Sequence, residues 1–431
     1  MTDKGDSKVL MFYPSMLAPP DTGSRRRGMF VLDYLLDRFT KVHLCMPHEA
    51  KGGGTEGLME LTSRGVTVHL IGTGGGAGPW IRGRIRRWSS LLFKGRMPSF
   101  ESSGFLDANL AKGFKQVVMD VSPDAVLITH TRFAGLIAAW PRRVFATIDT
   151  IDVQKELDHC YAGYSGMKAL IAPLLHGYRE RGPAYRSEVD ILRKYQRVIA
   201  ISKGDREALL QAGLSQDSVF EVCEAFGGTS PEPVAAQAGK DTDLLVVASR
   251  FLGTEESTAF LLQEVLPRCR RPLSLTVVGS ICDYLADTPI RLPENVHLTL
   301  AGFVPDLTPF YLRSKLVVIP VLRGTGVSIK CAEAFSQGAA VVTTPKGARG
   351  IAAIDGDNCL MADTPEALAR RIDAALSDDS LRERLGKSAW AASRRSKVDA
   401  YETLDRLFAP VLGGQRLSAE ASGAAGAIHG R

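Results

Sequence analysis

Short apolar runs of β character alternate with stretches of helical period along almost the whole chain. Lys8–Tyr13, Lys41–Cys45, Val66–Ile71, Ala125–Thr129 and Val144–Thr147 are such runs, and Arg197–Ser202 closes a first series. Between the first two, Ser24–Asp37 reads as an amphipathic helix. Strands and helices in this order predict a parallel sheet covered on both faces. The stretch Gly227–Lys240, GGTSPEPVAAQAGK, is rich in Gly, Pro and Ala and has no hydrophobic period, so it reads as a linker. The alternation then restarts with Leu244–Ala248, Ser274–Gly279, His297–Ala301, Leu316–Val321 and Ala340–Thr344. At 431 residues the chain is too long for one ordinary core and suits two domains of about 200 residues each. The expected fold class is α/β with two Rossmann-like domains. Residues 1–227 form the first, 228–240 the linker and 241–395 the second. A helix at 396–411 crosses back to the first domain, and a Gly/Ala/Ser-rich tail at 412–431 is expected to be disordered.

Composition narrows the function classes. Hydrophobic residues at 45% and charged residues at 23% are those of a globular protein, not of a disordered or fibrous one. No apolar run is long enough to span a bilayer, and the polar first residues offer no signal-peptide core. Seven cysteines lie far apart without a CxxC pair, which argues against a zinc site or a disulfide framework and fits a reducing cytoplasm. A net charge of +6 favours anionic ligands or surfaces without requiring nucleic acid, for which no recognition motif is present.

In open parallel sheets ligands bind beyond the carboxyl ends of the strands, so the loops there carry the chemistry. The richest is in Leu316–Ile351, LVVIPVLRGTGVSIKCAEAFSQGAAVVTTPKGARGI. Its strand ends in the loop Arg323-Gly324-Thr325-Gly326, and a helix follows with Val327, Cys331, Ala334, Phe335 and Gly338 on its inner face. Backbone N–H groups at the start of such a helix suit a phosphate. Lys330 adds positive charge, and Glu333, three residues on, neighbours it on one helix face. A carboxylate can accept both hydrogens of a ribose diol.

This segment resembles the donor-binding motif of the retaining glycosyltransferases of family 4. The matching positions are Gly324, Gly326, Lys330, Glu333, Ala334, then Gly338, Val341, Val342, Thr344 and Gly347. Ala301–Tyr311, AGFVPDLTPFY, is similar to the family's nucleobase-reading turn and brings in Val304. Arg250, in Val247–Phe251, stands where the family places an arginine on the diphosphate, and Pro19–Gly28 resembles its first glycine loop, with Gly23 and Arg27. The resemblance implies a GT-B architecture, its two domains facing a central cleft, and transfer of a hexosyl group from a nucleoside diphosphate sugar to a glycan or lipid-linked acceptor. It further implies retention of configuration, no metal or other cofactor, and a role in bacterial surface polysaccharide synthesis. Arg250, Lys330 and Asp152 are then the catalytic candidates. Gly23, Val304, Gly324, Thr325, Gly326 and Glu333 would bind the donor, and Asp149 and His130 would lie on the acceptor side.

Three departures from the family pattern bear on that reading. Thr325 stands where the first of two glutamates is usual, eight residues before Glu333. Arg250 is not followed by the common lysine, a cation that Lys330 can replace. Ile151, in Asp149-Thr150-Ile151-Asp152-Val153, takes the place of a sugar-contacting histidine. A nucleotide-sugar epimerase or hydrolase, or a non-catalytic binding scaffold on the same fold, are the rival readings. Trp80–Met97, WIRGRIRRWSSLLFKGRM, has six basic residues, no acid and apolar residues at helical spacing. It fits equally a helix lying on an anionic membrane, at the inner face of the cell membrane, and one packed on the first domain.

Overall fold

In the computed structural model, residues 7–19, 23–48, 54–72, 108–139, 144–151, 183–223, 239–250, 252–288, 292–323 and 327–413 are described. Seven parallel strands build the first sheet: β1 (Lys8–Phe12), β2 (Lys41–His48), β3 (Thr67–Gly72), β4 (Ala125–Thr129), β5 (Phe145–Asp149), β6 (Arg197–Ala200) and β7 (Val219–Glu221). Their order is β3-β2-β1-β4-β5-β6-β7. The second sheet has six: β8 (Thr242–Val247), β9 (Leu273–Val278), β10 (Val296–Gly302), β11 (Ser314–Ile319), β12 (Val341–Thr343) and β13 (Leu360–Met361), in the order β10-β9-β8-β11-β12-β13. Every pairing is parallel.

Central strands in such sheets are covered on both faces and therefore read as unbroken apolar runs. All five residues of β4 are buried, as are four of five in β1. Phe12 meets Phe114 edge-on at 5.5 Å and Phe133 at 5.2 Å in the core beneath. The second sheet has one apolar cluster around Leu244, Leu275 and Leu316 and another around Leu245, Val317 and Phe335. Alternate residues of β8 and β11 fall in the two clusters, as expected for a sheet buried on both faces.

Arg197–Ser202 does not close the first series. The three-residue strand Val219–Glu221 lies beyond it, too short and too mixed in character to show as an apolar run. Leu360–Met361 extends the second sheet in the same way.

The chain divides into two compact units, Met1–Val222 with Tyr401–Arg431, and Cys223–Ala400. One helix, Asp379–Leu412, contributes to both. Its last part is fixed within the first unit. Asp405 accepts hydrogen bonds from the Tyr34 hydroxyl at 2.9 Å and from Arg38 Nε at 2.8 Å. Phe408 is fully buried, 6.0 Å from Tyr34 and 5.5 Å from Phe39. The segment Trp80–Met97, nearly all of the linker and all but the start of the tail lie outside the described residues. Among the described residues no helix is long and apolar enough to cross a membrane, and six cysteines carry free thiols.

Candidate functional site

Each sheet reverses its strand order once, and at such a switch point the loops beyond the strands separate and leave a crevice. In the second unit the switch lies between β8 and β11. Arg250 follows β8. Its backbone N–H donates to Ser280 Oγ at 2.8 Å, its Nε donates to Glu255 Oε1 at 3.1 Å, and its Nη1 lies 3.7 Å from Asp287 Oδ2. The guanidinium also sits 5.9 Å from the centre of the Tyr284 ring. Arg323 follows β11 and pairs with Glu256 at 3.3 Å. The two arginines at the switch are thus bound to successive glutamates of one helix, Leu252–Phe260. That helix also holds the loop after β11, because the Leu322 N–H donates to Ser257 Oγ at 3.2 Å.

Lys330 and Glu333 lie on the helix Ile329–Ser336, which follows that loop. Cys331, Ala334 and Phe335 bury its inner side. Lys330 Nζ is 3.9 Å from Glu333 Oε2, and Glu333 is 6% exposed. The i,i+3 spacing therefore places the two charges together, with the carboxylate largely withdrawn from water. The loop after β12 braces the site. Thr344 Oγ1 donates to the Val321 carbonyl at 2.5 Å, and the Gly347 N–H donates to Thr344 Oγ1 at 3.0 Å. A methyl group on Gly347 would come within 2.3 Å of Thr343 Oγ1 and 2.9 Å of the Ile319 carbonyl oxygen, so only glycine fits there. Val304 is half-buried just beyond β10, packed on the same cluster as Phe335. Gly324, Thr325 and Gly326 lie outside the described residues.

In the first unit the switch lies between β1 and β4. Gly23 opens the helix Gly23–Arg38 and is half-buried. Asp149, the last residue of β5, is fully buried. Arg27 grips it with Nε at 2.9 Å and Nη2 at 3.3 Å, and Arg27 Nη1 donates to the Val222 carbonyl at 2.9 Å. The Asp149 carboxylate is therefore turned inward onto Arg27 and serves the framework. His130 follows β4 in a left-handed backbone conformation, φ 67°, and Ile151 beyond β5 does the same, φ 59°. Such conformations are costly for these residue types and cluster at functional sites. The His130 N–H donates to the Asp149 carbonyl at 2.9 Å. Burial, with the Arg132 charge second, pushes the His130 pKa down to about 3. His130 Nε2 is 3.0 Å from Ser24 Oγ, which is 2.8 Å from the Tyr13 hydroxyl. Asp152 lies outside the described residues.

Tyr13, Ser24, Arg323, Glu255 and Glu256 were not singled out from the sequence. Tyr13 had a usable signal, because it directly follows a strand at the switch point; the others depend on contacts between elements. Among the described residues no group of three or more His, Cys, Asp and Glu side chains is placed to hold a metal ion.

Residues 242–378, within the second unit, match the family described as "Glycosyl transferases group 1". No curated protein matches the sequence significantly. Among solved structures, HepE of Anabaena in complex with UDP and glucose is similar over 94% of this chain and 100% of its own, at 16% identity and a TM-score of 0.62. A TarM variant from S. aureus, in complex with fondaparinux, alpha-GlcNAc-glycerol and UDP, is similar over 94% of this chain and 100% of its own, at 10% identity and a TM-score of 0.61. Sucrose-phosphate synthase of Thermosynechococcus elongatus gives 14% identity over 94% and 100%, with a TM-score of 0.61. These likenesses establish the fold, that of the GT-B glycosyltransferases.

Proposed function

We propose that the protein is a retaining glycosyltransferase that moves a hexosyl group from a nucleoside diphosphate sugar to a glycan or lipid-linked acceptor in bacterial surface polysaccharide synthesis. One coincidence carries this reading. Within the stretch that matches the group 1 glycosyltransferases, Arg250 follows one strand of the switch point, and Lys330 and Glu333 lie on the helix after the other. The complexes of HepE with UDP and glucose, and of TarM with UDP and a glycosylated glycerol, support donor and acceptor classes of this kind.

In this reading Glu333 accepts hydrogen bonds from the ribose hydroxyls. Arg250 and Lys330 exchange their carboxylate contacts for the diphosphate and stabilise its growing charge. The donor-binding roles of Gly23, Val304, Gly324, Thr325 and Gly326 are those that the resemblance to family 4 implies. The bond between the anomeric carbon and the leaving phosphate oxygen breaks. The acceptor hydroxyl oxygen bonds to that carbon on the same face and gives its proton to the leaving phosphate. His130 and Asp149 belong to the acceptor side, Asp149 through the backbone carbonyl that holds the His130 N–H and not through its carboxylate, and Asp152 is the remaining catalytic candidate. Protein cations take the role a metal would have, so transfer is expected to persist in EDTA. The basic stretch Trp80–Met97 would hold the enzyme at an anionic membrane, where a lipid-linked acceptor resides.

A thermal-shift panel of UDP-, GDP-, dTDP- and ADP-sugars identifies the donor, because specific binding raises apparent stability. NMR of freshly formed product then reads the anomeric configuration. No stabilisation by any nucleotide sugar overturns the function, and an inverted anomeric centre overturns the mechanism.

A further inference from the structure

The first unit contains a hydrogen-bonded chain of which the proposed function uses only the last member, His130. Tyr13 follows β1 and His130 follows β4, the two strands that flank the switch point. Ser24, second residue of the helix Gly23–Arg38, stands between them. Its Oγ is 2.8 Å from the Tyr13 hydroxyl and 3.0 Å from His130 Nε2. Gly28, one turn after Ser24 on the same helix face, makes this approach possible. A methyl group there would come within 2.6 Å of both the Tyr13 ring and Leu17. The Tyr13 and His130 rings also meet edge-on, 6.0 Å between centres. The His130 backbone is fixed as well, because its N–H donates to the Asp149 carbonyl at 2.9 Å and its carbonyl accepts from the Phe133 N–H at 3.0 Å.

We infer that Tyr13 and Ser24 are positioning residues that hold the His130 imidazole with its proton on Nδ1, making it a hydrogen-bond donor and not a base. A serine hydroxyl has one hydrogen, so it can donate to only one of its two neighbours. A phenol is the stronger donor and the poorer acceptor of the two hydroxyls. Tyr13 therefore donates to Ser24, and Ser24 donates to His130 Nε2. An uncharged imidazole that accepts at Nε2 carries its hydrogen on Nδ1. A proton arriving at Nε2 would have to turn the Ser24 hydrogen away from the ring and reverse that hydrogen bond, and burial already opposes the charged ring. His130 then offers Nδ1–H to an oxygen of a bound sugar and takes no proton from the acceptor. That consequence rests on the transferase reading above; the tautomer does not.

The test is long-range proton–nitrogen NMR of the full chain labelled with 15N-histidine. The sequence has eight histidines, and loss of a signal pair in His130→Gln assigns the one needed. The expected spectrum shows a protonated Nδ1 and a bare Nε2 from pH 5 to pH 8. Tyr13→Phe removes the first donor and frees the Ser24 hydrogen to turn, so His130 should shift to a mixture of tautomers. A wild-type Nε2–H tautomer overturns the inference, whether or not the variant folds. A Tyr13→Phe spectrum identical to wild type overturns the role of Tyr13. A protein that binds no nucleotide sugar yet shows this tautomer would refute the transferase reading and leave the hydrogen-bonded chain standing.

Discussion

Replacing Asp149 with alanine strands the Arg27 guanidinium inside the first unit. The two side chains are 2% and 1% exposed, so water cannot take the place of the carboxylate. The two hydrogen bonds from Arg27 to Asp149 are lost, while the one to the Val222 carbonyl remains. Removing one partner of a buried ion pair costs about 3–5 kcal/mol, because an uncompensated charge remains. Asp149→Asn keeps an acceptor and loses the charge, and should cost less, about 2 kcal/mol. Arg27→Met with Asp149→Leu removes both charges and fills the space, so it should return most of the loss. The readout is native-state hydrogen exchange in peptides covering β4 and β5, which reports opening of this unit separately from the rest of the chain. A single variant losing under about 1 kcal/mol, or a double variant as damaged as the single, would refute the argument.

Three further outcomes follow from the sites. Glu333→Ala should keep the native circular dichroism and lower donor turnover roughly ten- to a hundredfold, the weight of a charge-assisted hydrogen bond of about 1.5–3 kcal/mol; unchanged kinetics would reject the ribose assignment. Glu255→Gln removes the charge of one of the two carboxylates beside Arg250, in a half-exposed pair worth under about 1 kcal/mol, so it should tighten nucleoside diphosphate binding by up to about fivefold, with Arg250→Ala moving it the other way. Calorimetric titration at low salt measures both, and weaker binding by Glu255→Gln contradicts the exchange of partners. The last concerns acid. His130 sits near 3 in the folded chain against about 6.5 unfolded, so the unfolded chain takes the proton first as pH falls. Stability is therefore lost from about pH 6.5 downward, by about 2 kcal/mol at pH 5, and His43 and His69, both lowered by burial, add to the loss. Denaturation of His130→Gln at pH 7 and pH 5 should show a shallower drop than wild type; equal drops exclude this origin.

The central strands were legible in the sequence because burial on both faces forces unbroken apolar runs. Two of the four edge strands were not. Val219–Glu221 and Leu360–Met361 end their sheets, pair on one side only and need no such run. The Lys330–Glu333 pair was legible because helix geometry makes it a local fact, three residues apart. The Arg27–Asp149 pair was not, since 122 positions separate the two residues. Each looked like a separate site residue, and neither betrayed the other. Tyr13 was hidden in the first apolar run, where an aromatic ring reads as core until its hydroxyl is seen to have a partner.

Charge at the end of a parallel strand therefore has two meanings that sequence order alone does not separate. At both switch points an arginine is held by a carboxylate of its own unit. Arg250 and Arg323 are 44% and 40% exposed in their pairs. Water already screens those contacts, so breaking them costs little. Arg27 at 2% exposure is the opposite case. Opening its pair would take the carboxylate away from a buried charge in a low-dielectric core, at a cost of about 3–5 kcal/mol. What Arg27 and Asp149 supply is a fixed base: Asp149 presents its backbone carbonyl to the His130 N–H while its side chain stays locked. Under the proposed function, the arginines of the second unit are therefore the ones a diphosphate would meet, and that of the first belongs to the framework.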